Sequence, residues 1–168
     1  MLSRFLFSKI RAGKGQSVVE LTLIAPLLLV ALYIPADFGI AMFTAHLTQN
    51  AVREAARIGV STKDPFDGAA ATAIANEALN RVPKRLNGIT VTVSYNSSTT
   101  TPCMQNVTVT AQGNYSYFFY RLMNIFGASV PVSLPITRNS QMRYEFQPIT
   151  NSTPMCTSVS ATGSASRS

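Results

Sequence analysis

Leu21 to Ala36 carries no charged residue, and Phe38 to Phe43 prolongs the stretch past Asp37. In a helix rising ~1.5 Å per residue, a bilayer core takes about 20 residues, so this length can span a membrane. The chain has 168 residues, of which 46% are apolar and only 12% charged. That apolarity is concentrated near the N-terminus, which indicates an anchor rather than an oversized core. Pro26 and Pro35 interrupt the stretch, and each removes a backbone donor. Membrane helices tolerate such breaks where neighbouring groups satisfy the freed carbonyls.

Charge sets the direction of the anchor. Arg4, Lys9, Arg11 and Lys14 precede the apolar run with no acidic residue among them. Basic residues on this side alone place the N-terminus in the cytoplasm and everything after Asp37 outside it. The net charge of +7 resembles a nucleic-acid signal until the first fifteen residues are removed; ten basic side chains then face seven acidic ones. No basic cluster interleaved with aromatics remains, so no nucleic-acid partner is expected.

A secretory signal would need a small-residue cleavage site after its apolar stretch, but here Tyr33-Ile34-Pro35-Ala36-Asp37-Phe38 follows. The small residues Ala12, Gly13 and Gly15 stand before it, so a cut there leaves the apolar helix on the mature chain. After Gly15 comes Gln16-Ser17-Val18-Val19-Glu20, which makes glutamate the fifth residue beyond that glycine. A carboxylate sunk in lipid is costly unless paired, and a cut at Gly15 creates a cationic amine at Gln16. Glu20 can reach that amine in its own helix or in a neighbouring one.

This arrangement resembles the class III signal of type IV pilin-like proteins: a basic leader, a glycine, four residues, a glutamate and an apolar helix. The resemblance implies cleavage after Gly15 by a prepilin peptidase, with Glu20 aligning subunits during assembly. The continuation Pro35 to Val60, PADFGIAMFTAHLTQNAVREAARIGV, resembles TadE-like proteins of tight-adherence (Tad/Flp) pilus systems. Those carry an acidic-aromatic-Gly element, here Asp37-Phe38-Gly39, then an Ala-Arg-rich helix end, here Arg53-Glu54-Ala55-Ala56-Arg57. Major Flp pilins are much shorter and usually follow the glutamate with tyrosine, whereas this chain has Leu21 and a large C-terminal region. The resemblance therefore implies a minor pilin or pseudopilin. Its implied partners are other pilin subunits, the prepilin peptidase, the inner-membrane assembly platform and the lipid bilayer. The implied location is the bacterial inner membrane, with the head periplasmic and then extracellular in a pilus. A membrane-fixed binding or adhesion module that never enters a filament is the alternative.

Leu47, Ala51, Ala55 and Ile58 form one helical stripe, and nothing breaks the pattern until Gly59. One helix is thus expected from about Gln16 to Gly59, its inner half embedded and its outer half the spine of a head. Arg53 and Arg57 share a face, either solvated or an assembly contact; Asp37 marks the membrane's outer edge or makes such a contact.

In the head, Asp67 to Val82 reads as a helix ended by Pro83. Ile89 to Tyr95 and Val107 to Gln112 alternate as half-buried strands. Tyr117 to Phe126 reads as a short helix capped by Gly127, either a lid over the sheet or a patch that docks on a subunit or the membrane. Val130 to Ile136, with Pro131 and Pro135 on the opposite parity, fits an edge strand that continues through Met142 and Tyr144.

The expected fold class is α+β, a long N-terminal helix carrying a small antiparallel-sheet head with two further short helices. The expected divisions are a leader at 1–15, the anchor and spine at 16–60, the head at 61–146 and a Ser/Thr-rich disordered tail at 147–168.

Cys103 and Cys156 form no C-x-x-C pair and are a candidate disulfide if the head reaches an oxidising compartment. The single histidine, His46, has no acid or nucleophile at a telling spacing. Asp64, Asp67, Glu77 and Glu145 show no paired or metal-binding arrangement, and no glycine-rich phosphate loop occurs. Neither enzyme activity, metal nor cofactor is expected. Four glycosylation sequons, at Asn96, Asn106, Asn114 and Asn151, are read as by-products of Asn/Ser/Thr-rich strands.

Overall fold

The computed structural model describes residues 13–62, 68–97, 105–125, 127, 129–144 and 161–168. Helix α1, Gly13–Ser61, runs 49 residues without interruption through both prolines. Its two halves differ in environment. From Ser17 to Ala36 nearly every residue is exposed on all sides, while from Asp37 onward one face is buried and the other solvated. The sequence dictates this change, because charged and polar residues become frequent only in the outer half.

The head is a two-layer α+β sandwich. Four antiparallel strands, β1 (Leu86–Ser97), β2 (Gln105–Ser116), β3 (Ser133–Arg143) and β4 (Ala161–Arg167), lie in the order β3-β2-β1-β4. The outer half of α1 covers β3 and β2, and α2 (Gly68–Arg81) covers β4 and β1. Strand alternation divides the sheet cleanly. Val91, Val93, Tyr95, Val107, Val109 and Ala111 are buried beneath the helices. On the opposite face, in-register rows such as Asn139–Thr110–Thr92–Ser164 carry hydroxyls and amides. Gly88, at φ 59°, stands where the β1–β2 register shifts between Asn87 and Thr90, a backbone state that suits glycine.

The predicted stripe on α1 is partly correct. Ala51 and Ala55 are buried and Ile58 packs against the core, but Leu47 is 38% exposed. The buried face instead includes Thr44 and Thr48, whose hydroxyls donate to the carbonyls of Ile40 and Thr44, both at 2.8 Å. A threonine bonded to its own helix in this way satisfies its hydroxyl without a core partner. Gly59 closes the spine: a Cβ there would lie 2.8 Å from Val107 Cγ1, and the Tyr95 hydroxyl donates to its carbonyl at 3.2 Å.

The end of the chain departs from expectation. Residues 161–167, assigned to a disordered tail, form β4 and pair along β1 from Tyr95↔Ala161 to Ile89↔Arg167. Its inward residues are Ala161, Gly163 and Ala165, all buried. Smallness is required here, because a Cβ on Gly163 would lie 2.2 Å from the Thr72 backbone nitrogen of α2. Arg167 then donates to the carbonyls of Pro83 (3.1 Å) and Leu79 (3.5 Å), satisfying the C-terminal end of α2.

Helix α3, Phe118–Ile125, follows β2, and Gly127 at φ 85° closes it with an N–H to Asn124 carbonyl bond of 3.1 Å. As expected, β3 is an edge strand that continues past Asn139, but it runs only from Ser133 to Arg143, so Val130, Pro131 and Val132 precede it, Tyr144 follows it and Pro135 is the proline within it.

Candidate functional site

The residues singled out from the sequence fall into two groups along α1. Gly15 and Gln16 lie in the first turns of the helix, so the expected cleavage bond has helical backbone. Glu20 follows one turn later and is exposed, among the exposed apolar side chains of Val18, Val19, Leu21 and Leu23. Its separation of four residues from Gln16 puts both on one helix face. This half of α1 is long and apolar enough to cross a membrane, and none of its most apolar window is buried within the protein.

Asp37 occupies a different environment. It is only 5% exposed and, from Ser17 onward, is the first buried residue of α1. Its carboxylate accepts from the Tyr115 hydroxyl at 3.3 Å and from the Phe119 backbone N–H at 2.9 Å. Phe119 is the second residue of α3, where helical N–H groups lack partners, so a side chain from α1 caps a helix some eighty residues away. The helix dipole favours a negative charge at that position. One turn before Asp37, Tyr33 stacks on Phe119 with centroids 5.9 Å apart and planes 3° from parallel. Tyr115 and Tyr117 meet edge-on at 5.5 Å, and Tyr117 contacts Tyr120 at 4.9 Å.

Burial raises the Tyr115 phenol above its usual 10.0, reinforced by the Asp37 charge and the hydrogen bond to it; the nearby Arg85 guanidinium opposes the shift. The Tyr117 phenol is raised for the same first reason, then by Tyr120 and Asp37. Asp37 is therefore a joint between anchor and head. Sequence reading placed it correctly on the helix but missed its partners, which lie in the distant β2–α3 segment.

Arg53 and Arg57 are exposed. Arg57 pairs with Glu54 at 3.5 Å, and Glu54 also meets Arg81 at 3.9 Å, which pairs in turn with Glu77 at 2.9 Å. These exposed contacts tie α1 to α2 weakly. His46 is exposed on the spine. Cys103 and Cys156 lie outside the described residues. Among the described residues no group of three potential metal ligands occurs.

Residues 15–57 match the family model for TadE-like proteins. The TadE-like segment begins at the glycine before Gln16 and ends with Arg57, so it takes in Glu20, the all-round exposed stretch, Asp37 and the Ala-Arg-rich turn. Over this segment the chain is similar to TadE-like proteins. The sheet and the two shorter helices lie beyond the TadE-like segment. Neither curated proteins nor solved structures gave a match to the chain.

Proposed function

We propose that the chain is a minor pilin or pseudopilin of a tight-adherence pilus, inserted in the bacterial inner membrane with its head outside the cytoplasm. In this reading residues 1–15 are a leader, removed by a prepilin peptidase at the Gly15–Gln16 bond. The observation that carries it is Glu20, an exposed carboxylate at the fifth position after Gly15, entering a helix half whose apolar side chains are exposed on nearly every side among the described residues. Such a surface must be covered, first by lipid and then, during assembly, by the helices of other subunits. The amine freed at Gln16 supplies a cation, on the same or an adjacent helix, with which a carboxylate in lipid can pair. Glu20 thus fixes the axial register between packed subunits. Arg53 and Arg57, exposed on the spine, are available as further subunit contacts.

N-terminal sequencing of the chain purified from its host, with an assembly assay of Glu20→Ala, tests the reading. A mature chain beginning at Gln16, together with normal membrane insertion and loss of piliation in Glu20→Ala, is the expected result. A chain beginning at Met1, or unaltered piliation in the variant, would leave a membrane-fixed module outside any filament.

A further inference from the structure

We propose that α3, through Phe118 with Arg121 and Val132 beside it, is a second membrane contact that rests in the headgroup layer where α1 leaves the bilayer. The proposal depends on α1 being a membrane anchor, but not on entry into a filament.

Position is the first argument. Ser17 to Ala36 comprises twenty residues exposed on nearly every side. At ~1.5 Å per residue that segment is about 30 Å long, the thickness of a hydrocarbon core. Its outer end carries Tyr33, stacked on Phe119, and Asp37, bonded to the Phe119 N–H. Both contacts hold the start of α3 level with the emerging helix. Phe118 is the adjacent residue, only ~3.8 Å along the chain. The Tyr117 N–H donates to the Val132 carbonyl at 2.9 Å, which brings Val132 to the same level.

Chemistry is the second. Tyr117 and Phe119 are buried, yet Phe118 between them is 75% exposed, and Val132 is 39% exposed. An apolar ring in water leaves its area uncovered, whereas Phe is among the residues that bury the apolar face of an interfacial helix at the headgroup–acyl boundary. Charge is the third. Arg121 is exposed on α3, and the Arg85 guanidinium lies beside Tyr115 at the same end of the head. Among the described carboxylates of the head, Asp37 is buried, and Glu54 and Glu77 are paired with Arg57 and Arg81. Among the described residues, the Arg121 and Arg85 guanidinium groups thus outnumber the buried Asp37 carboxylate at this rim, which suits anionic lipid headgroups. Three features of independent origin converge on one occupant, the bilayer surface.

The chain contains no tryptophan, so Phe118→Trp gives a single intrinsic reporter at an exposed site. Thr110→Trp, on the outer face of the sheet, serves as the control. Each full-length variant is reconstituted into phosphatidylethanolamine–phosphatidylglycerol vesicles containing lipids brominated near the top of their acyl chains. Carbonate-resistant flotation establishes separately that α1 is inserted. The expected result is blue-shifted emission at position 118 that loses most of its intensity to the brominated lipid, with water-like, unquenched emission at 110. Water-like emission at 118, or equal quenching at both positions, would overturn the proposal. Blue-shifted emission at 118 that grows with protein density and ignores bromine would overturn it in favour of contact with another copy. Failure of flotation would remove the anchor itself, and the proposal with it, whatever the fluorescence.

Discussion

Replacing Asp37 with alanine removes the acceptor of two bonds at once, leaving the Tyr115 hydroxyl and the Phe119 N–H to find others. A lost helix cap costs about 1 kcal/mol, and a buried bond to a charged group about 1.5–3 kcal/mol. Asp37→Ala should therefore lower the head's stability by about 2–4 kcal/mol in thermal or denaturant unfolding of the full chain in detergent. Asp37→Asn should cost less, because it retains an acceptor; a residue that merely marked the membrane edge would show neither loss. Alkaline pH probes the same joint. Folding raises the Tyr115 phenol above 10.0, so the folded state keeps its proton to higher pH than the unfolded chain. The associated stability is complete below the usual phenol value and is lost as pH rises through the folded one. Tyr115→Phe should flatten that alkaline decline in melts recorded across it, with the residual slope coming from Tyr117 and Tyr95, whose phenols burial also raises.

Among the elements, those with strong periodicity were legible and those built from small residues were not. Alternating Val and Thr announced β1 and β2, the alanine-rich run announced α2, and Pro135 marked β3 as an edge, although Pro131, read with it, lies before the strand. The strand β4 went unread because its inward side is Ala161, Gly163 and Ala165, which among serines and threonines resembles low complexity. The lack of bulk reflects the closeness of α2. A Cβ at Gly163 would meet the Thr72 nitrogen at 2.2 Å and the Ala71 carbonyl carbon at 2.4 Å, both backbone atoms that cannot rotate away. Gly163→Val should accordingly lift α2 from the sheet and cost at least about 1–3 kcal/mol, as overpacking does, while Ser164→Val on the exposed side should change stability little. Circular dichroism melts of the two variants check this directly. Thr44 and Thr48 escaped notice for another reason: polar by type, they enter the core because each hydroxyl is satisfied within α1. The joint at Asp37 escaped because its partners are remote in sequence and only the folded sheet brings them to α1.

For the whole molecule, the topology bears on the two thiols. The strands that follow the two cysteines, β2 from Gln105 and β4 from Ala161, both begin at the end of the sheet where Tyr95 pairs with Val107 and with Ala161. One strand separates them, so their axes are about 9.6 Å apart at ~4.8 Å per strand. With two residues from Cys103 to Gln105 and five from Cys156 to Ala161, the connecting chain is long enough for a bridge. Peptide mapping of the chain exported to an oxidising compartment should show the Cys103 and Cys156 peptides linked without reductant and separate with it; two free thiols would exclude the bridge. A more general consequence follows from α1 itself. Its 49 residues make a rod about 74 Å long at ~1.5 Å per residue, and its outer half is built into the hydrophobic core beneath β2 and β3. No flexible tether separates shaft from handle. A displacement of the shaft is passed to the sheet along helical backbone throughout, with Pro26 and Pro35 the two positions where a backbone hydrogen bond is missing.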